Sequence, residues 1–141
     1  MPFQQAMKSM SFKGVLLIGE KSFPVLSLNI SYSRHLDPSG KPDNKTNTFL
    51  NLCIDSFKGG QLFWQFTQET PVDTINGEIS FIPSEDPEIL KIFKFKNAWC
   101  VPTEESFESN GSPPMTMKLT ITTTDLSYRE VDMAKFLDEL K

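Results

Sequence analysis

The stretch Met115-Thr-Met-Lys-Leu-Thr-Ile-Thr122 alternates strictly between apolar and polar side chains. Its apolar residues share one face of an extended chain and its threonines and lysine share the other, which is the pattern of a half-buried β-strand. The same period of two recurs over residues 11–18, 23–32, 48–54, 77–82 and 91–101. In the last of these, alternation predicts one face that carries Phe93, Phe95, Trp99 and Val101, opposite Cys100.

Turn residues separate these stretches. Gly19-Glu-Lys21 joins the first two, and Asn76-Gly77 and Asn110-Gly111 are hairpin signals because Asn and Gly tolerate positive φ. Six to eight short strands in a chain of this length predict a mainly β domain, either a closed barrel or a sandwich. We favour the barrel because closure leaves fewer open strand edges.

Two segments break the β pattern. Residues 60–68 place Leu62, Phe63 and Phe66 at helical spacing, which predicts a short helix that flanks the barrel. Near the C-terminus, Ser127 and Glu130 have the spacing of a capping box. Apolar residues then recur every third position, so a possible C-terminal helix is predicted from Glu130 to Leu140.

The composition is that of one globular domain. The chain has 141 residues, 11% of them aromatic, and a formal charge of -4, which excludes disorder and the basic footprint of a nucleic-acid binder. Residues 1–10 have no apolar core, and no apolar run approaches the ~20 residues of a membrane helix. We therefore expect neither a signal peptide nor membrane insertion, and a cytoplasmic protein unless a dedicated machine exports it.

The residues for catalysis are few. His35 is the single histidine, and no motif joins it to Cys53 or Cys100, both of which alternation places on the less apolar strand faces. Three Cys and His residues are too few for a structural zinc site. Residues 37–48 begin like a calcium loop, but Lys41, Pro42 and Thr48 stand where that loop needs other residues. We predict no catalytic, cofactor-binding or metal-binding residue, and hence no enzyme.

Both tryptophans occupy apolar positions of their patterns. Trp64 lies in the predicted helix and Trp99 in a predicted strand. A pair of tryptophans can form a ligand platform, but at such positions core packing is the more common role. We therefore predict that Trp64 and Trp99 belong to the core.

Several short segments, in order and spacing, resemble the Hcp (TssD) tube proteins of the bacterial type VI secretion system. The resemblance runs from about Ser11 to Thr124. The segments that carry it are Ser11-Phe-Lys13, Ser31-Tyr-Ser33, Leu62-Phe-Trp64, Gly77-Glu-Ile-Ser-Phe81, Leu90-Lys-Ile-Phe-Lys-Phe-Lys-Asn-Ala-Trp-Cys-Val101 and Phe107-Glu-Ser-Asn-Gly-Ser-Pro-Pro-Met-Thr116. Residues 1–10 and 125–141 of the single domain lie outside it.

The resemblance implies a compact antiparallel β-barrel of two sheets with a flanking helix. It implies homohexameric rings that stack into a hollow tube, which a contractile sheath expels with a spike and effector proteins, without a signal peptide. By position, it assigns contacts with a neighbouring subunit or ring to the polar loop 36–47 and its flank, at Arg34, Asp37, Lys41, Asp43 and Lys45. The polar strand face with Thr116, Thr120 and Thr122 would line the lumen.

Two other functions fit the same pattern. A monomeric barrel that binds a small ligand would hold an interior apolar pocket lined by phenylalanines. A tail-tube protein of a related contractile injection machine would have a similar barrel, because the fold alone does not separate the two machines.

Overall fold

A computed structural model describes residues 12–68 and 73–135. The described chain is mainly β, as predicted. Its elements are β1 (Phe12–Ile18), β2 (Lys21–Leu36), β3 (Pro42–Asp55), α1 (Gln61–Trp64), a 3-10 helix (Gln65–Thr67), β4 (Ile75–Pro83), β5 (Ile89–Phe107), β6 (Met115–Thr123) and β7 (Asp125–Asp132).

The strands form one antiparallel sheet in the order β4-β1-β2-β3-β6-β5-β7, and β4 also pairs with β5. That extra pairing closes six strands into a ring, in agreement with the predicted barrel. β7 follows β6 along the chain and pairs with the first half of β5, opposite β4. β5 is therefore the strand that joins the closed ring to β7.

The alternating stretches fill the core. Their buried apolar residues are, as predicted, Leu50, Leu52 and Ile54 on β3 and Met117, Leu119 and Ile121 on β6. α1 covers one end of this core, because Phe63 is fully buried and its ring lies 4.9 Å from that of Phe23. The predicted flanking helix is thus confirmed, as one short turn of α-helix that continues as a 3-10 turn.

β5 changes faces at Asn97. This residue has φ +50, and its N–H donates to Asn76 Oδ1 at 2.9 Å. Before the irregularity Phe95 points into the core, and after it Ala98 and Cys100 do. The prediction that Trp99 and Val101 share the buried face with Phe95 is therefore wrong: both are half exposed, while Cys100 is buried.

Two further predictions are wrong. Asn76-Gly77 lies within β4 rather than in a hairpin turn, and the side chain of Asn76 accepts the hydrogen bond from Asn97 N–H at the irregularity in β5. Ser127 and Glu130 lie in β7 rather than at a helix start, because Leu126 and Tyr128 pair with Phe95 and Phe93 on β5. The backbone becomes helical only at residues 133–135, and the rest of the predicted C-terminal helix lies outside the described residues.

We predict that Asn97→Val lowers the free energy of unfolding by about 1–3 kcal/mol, because a β-branched residue is strained at positive φ. Asn97→Gly removes the same side chain but adopts this φ freely, so it should leave stability nearly unchanged. Equilibrium urea unfolding measures both. Equal losses in the two variants would show that the conformation of Asn97 does not set the fold of β5.

Candidate assembly surfaces

The predicted loop 36–47 is mostly strand. β2 and β3 remain paired from Tyr32–Thr48 out to Leu36–Pro42, so that only residues 37–41 form a turn. The two strands stay paired through this polar stretch because hydrogen bonds between main-chain groups do not require apolar side chains. The result is a two-stranded extension (residues 31–47, called the hairpin) whose residues 31–45 are all exposed.

Asp37 fixes the turn at the hairpin tip. Its Oδ1 accepts hydrogen bonds from Ser39 Oγ at 2.6 Å and from the N–H groups of Ser39 and Lys41 at 2.9 Å. These bonds, with the Ser39 hydroxyl foremost, hold the pKa of Asp37 below its ordinary value. Gly40 supplies the positive φ of 86°. Asp37 is thus part of the turn's own architecture.

Arg34 braces the hairpin. Its Nε donates to the carbonyl of Asp43 at 2.6 Å, and Nη2 lies 3.5 Å from the carbonyl of Asn44. Within the described residues, the ion pairs are Lys91–Glu130 and Lys118–Glu104. Lys41, Asp43 and Lys45 therefore carry charges that the described part of the chain leaves without an ionic partner. The structure brings all five predicted residues of this loop onto one projecting element.

Among the described strands, the outer edge of β7 is open, since this strand pairs with β5 alone, and two further open edges arise where the closed ring of strands ends. β1 pairs with β2 only as far as Val25, and β4 pairs with β5 only as far as Ala98. Beyond these points β2, β3, β6 and β5 form a four-stranded sheet. Its lateral edges are residues 27–36 of β2 and 99–107 of β5, on opposite sides.

The register shows which amides face the β2 edge. Ser56 N–H donates to Met115 O in the register of the β3–β6 ladder, and bonded pairs alternate along an antiparallel ladder. Counting along this ladder, the N–H of Phe49 points toward β2, where Ser31 is its bonded partner. The N–H of Tyr32 therefore points out of the open edge.

The predicted polar face lies on the outer surface of this four-stranded sheet. Thr116, Thr120 and Thr122 alternate with the buried residues of β6 and are half-buried. Thr120 donates to Asn51 Oδ1 at 2.8 Å, and the cross-strand neighbours Trp99, Thr122 and Phe49 form an adjacent row. This face is polar at its centre and more apolar beside the β5 edge.

Aromatic stacking fixes β7 to β5. Phe93 stacks between Tyr128 at 4.6 Å and Phe81 at 6.0 Å between ring centroids. Lys91 Nζ donates to Tyr128 Oη at 3.0 Å and to Glu130 Oε1 at 2.9 Å. The Tyr128 bond, followed by Glu130, raises the pKa of Lys91, and the same network lowers the pKa of Glu130. Sequence reasoning missed this strand.

At the end of the barrel opposite the hairpin, Trp64 is 55% exposed and Phe57 is 59% exposed. Trp64 is therefore not a core residue, contrary to the prediction, because Phe63 is the residue of α1 that faces the core. A crevice of about 400 Å³ runs beside both rings; Lys21, Glu105, Gln61, Gly59 and Gly60 are among its other lining residues. Buried Ser56 donates to Glu105 Oε2 at 3.3 Å and so holds that carboxylate at the crevice.

The candidate catalytic residues do not meet. His35 is exposed near the hairpin tip. Cys53 pairs with Ser27, which lies eight residues before His35 on β2, a separation of roughly 26 Å along the strand. Cys100 is buried, which corrects its predicted place on a less apolar face. Among the described residues no group of His, Cys, Asp and Glu is arranged to hold a metal ion, and no helix is long and apolar enough to cross a membrane.

Comparisons with known proteins agree with this architecture. The model of the family described as "Hemolysin coregulated protein Hcp (TssD)" matches residues 10–135. The structure of Hcp1 from Flavobacterium johnsoniae is 25% identical, with a TM-score of 0.61 over 85% of this chain and 98% of that one. A search of curated proteins finds no match.

A second solved structure shows a likeness of fold alone. It is the sheath-tube complex of the extracellular contractile injection system PVC in its extended state. One chain of it is 19% identical, with a TM-score of 0.53 over 84% of this chain and 89% of that one.

The two cysteine thiols differ in burial. Burial raises the pKa of Cys100 to about 12, whereas Cys53 is partly exposed on the outer sheet face. We predict that a thiol reagent at pH 8 modifies one cysteine in the folded protein and two after unfolding. Cys53→Ser should leave no fast-reacting thiol. Rapid modification of both cysteines in the folded protein would contradict the burial of Cys100.

Proposed function

This chain belongs to the Hcp (TssD) family, and from that premise we propose how its surfaces build a tube. It is a structural tube subunit, as the family match and the likeness to Hcp1 support. The finer proposal is a ring of six identical subunits that stack into the inner tube of a type VI secretion system. Contraction of a sheath would expel this tube with a spike and effector proteins.

The observation that carries the ring is the pair of open edges. A closed ring of identical subunits needs two different, complementary surfaces on each subunit. An unpaired edge of β2 and an unpaired edge of β5 are such surfaces, because each presents free main-chain N–H and C=O groups. Strand order makes the two edges antiparallel when subunits share one orientation. β2 of one subunit then continues the sheet from β5 of the next.

This arrangement assigns the remaining surfaces. A sheet continued around a ring turns one face inward, and the face with Thr116, Thr120 and Thr122 is the one that the core does not use. We assign it to the lumen, where effectors would travel. The part of the hairpin beyond Tyr32, with Arg34, Asp37, Lys41, Asp43 and Lys45, projects from one end of the barrel and is assigned to contacts between rings.

The family also suggests where the protein acts. We propose assembly in the cytoplasm and export by the machine itself, without a signal peptide. Sheath, spike and effector proteins would be its partners, with no nucleic acid, no cofactor and no catalytic step.

The two other functions are less well supported. A ligand-binding barrel needs room inside, but Phe23, Phe63 and Phe95 are fully buried among the core side chains. A tail-tube subunit of a related contractile machine is compatible with the fold shared with the PVC complex. The family match favours the secretion system over that machine.

We predict the native mass of a ring of six subunits. Light scattering coupled to size exclusion should give about six times the 16.0 kDa of the chain. A monomer across the micromolar range would contradict a ring that forms without other components.

A proline substitution at Tyr32 tests the β2 edge. Tyr32→Pro removes an N–H that points out of the edge, so the subunit should fold, since proline is tolerated on edge strands. The dissociation constant of the hexameric ring should rise at least about tenfold, because each contact between subunits loses one hydrogen bond and must accommodate the bulk of the proline side chain. Tyr32→Ala is the matched control, because it also removes the aromatic side chain but keeps the N–H.

Sedimentation velocity over a dilution series measures the dissociation of both variants, and circular dichroism checks that they are folded. Equal ring stability in Tyr32→Pro, Tyr32→Ala and the unmodified protein would exclude β2 as a ring edge. Ser31→Pro provides a further comparison, because it removes an N–H bonded to β3 and should destabilise the subunit itself.

A further inference from the structure

A cleft of about 450 Å³ opens between the base of the hairpin and β7. β3 pairs with β6 only from Thr48 onward, and β7 pairs with β5 alone. Toward the hairpin tip, β3 and β7 therefore separate, and each leaves an unpaired main-chain edge beside the cleft. The residues that line it include Tyr32, Lys45, Thr46, Thr48, Leu126 and Tyr128.

Both edges direct main-chain groups into this cleft. The register that points the N–H of Phe49 toward β2 points the N–H of Thr46 to the opposite side, where β6 no longer pairs. On β7, Met133 N–H donates to Glu88 O at 2.6 Å, so alternation points the N–H of Tyr128 out of the open edge. An open strand edge of this kind is the surface to which an extended peptide can add.

The side chains of the cleft favour an acidic segment. Lys45 is the one charged residue among the described residues that line it, and the ion pairs of the described chain do not include it. Leu126 lines the cleft and also packs against the core, while Tyr128 is 47% exposed. An extended chain with a carboxylate opposite Lys45 and an apolar side chain over Leu126 complements both features.

Both walls of the cleft are held in place before anything binds. Arg34 bonds the carbonyl groups of Asp43 and Asn44 on the hairpin side. On the other side, Tyr128 stacks on Phe93 and accepts a hydrogen bond from Lys91. Little conformational entropy of the protein is lost when a segment binds between two such preorganised walls.

We propose that this cleft binds an extended, acidic segment of a partner protein, which adds to the open edge of β7 as a further strand. Its main chain pairs with Tyr128, and one of its carboxylates pairs with Lys45. Because Lys45 is also assigned to contacts between rings, a subunit that holds this segment does not stack. That consequence rests on the proposed tube function, whereas the binding itself does not.

Two short synthetic peptides, acetylated and amidated, test the binding. One has the sequence Thr-Val-Glu-Val-Glu-Val-Thr, and the other has Lys in place of each Glu. Fluorescence anisotropy should give the acidic peptide a dissociation constant at least about tenfold lower, because only a carboxylate pairs with Lys45. The chain has a formal charge of -4, so nonspecific attraction would favour the basic peptide instead. Equal affinities, or a preference for the basic peptide, would overturn the proposal.

A charge reversal in the protein locates the binding. Lys45→Glu should reverse the preference between the two peptides. Lys41→Glu makes the same change at an exposed lysine of the hairpin that does not line the cleft, and it should preserve the preference. The same effect in both variants would show that the peptides respond to the charge of the hairpin as a whole.

Tyr128→Pro tests the β7 edge, because it removes the outward N–H from an edge strand, where proline is tolerated. The dissociation constant of the acidic peptide should be at least about threefold higher than in Tyr128→Ala, which also removes the aromatic side chain but keeps the N–H. Equal affinities in the two folded variants would exclude pairing with β7. Circular dichroism checks folding, and the Lys45 reversal decides the question where Tyr128→Pro does not fold.

Native mass and sedimentation, measured on the same samples, separate the possible failures. Rings that bind neither peptide overturn the proposed cleft and leave the ring intact. Monomers that bind the acidic peptide through Lys45 retain the cleft and contradict the ring. Rings that stay stacked at a saturating concentration of acidic peptide overturn the exclusion of stacking. Loss of stacking in Tyr128→Ala without peptide would identify a second copy of the chain as the occupant and contradict a partner protein.

Discussion

The change of face in β5 at Asn97 is the constraint on which the architecture depends. One strand of 19 residues pairs with β4 and β7 along its first half and with β6 along its second half. A strand that long cannot keep one set of side chains inside a closed barrel without a local irregularity, and the positive φ of Asn97 provides it. Phe95 then fills the core on one side of the irregularity, and Cys100 fills it on the other.

The surfaces for assembly follow from the same constraint. Because β4 ends its pairing at Ala98, the second half of β5 has an open edge. Because the face changes, Trp99 and Val101 lie on the outer surface beside that edge. β1 leaves β2 in a comparable way, and the four strands between the two edges carry the hairpin at one end. A subunit with two different edges and a projecting tip is suited to rings that stack.

Much of the fold could be predicted from local pattern. Met115 to Thr122 and the stretch around Leu50 alternate cleanly, and Phe63 lies where helical spacing places a core residue. The errors arose where a distant partner decides. Ser127 and Glu130 resemble a helix start, but stacking on Phe93 holds this segment as a strand. Alternation from Phe95 predicts a buried Trp99, but the irregularity at Asn97 reverses the faces before Trp99 is reached. The open edges depend on where other strands end, which alternation within one strand does not encode.

In the proposed ring, identical subunits join through the β2 and β5 edges into one continuous antiparallel sheet. An electron cryo-microscopy map of the assembled ring tests it most directly. We expect main-chain hydrogen bonds from β2 residues 27–32 of one subunit to β5 residues 99–107 of the next, with Thr120 facing the lumen. A ring in which those edges face solvent, and in which side chains alone join the subunits, would contradict it.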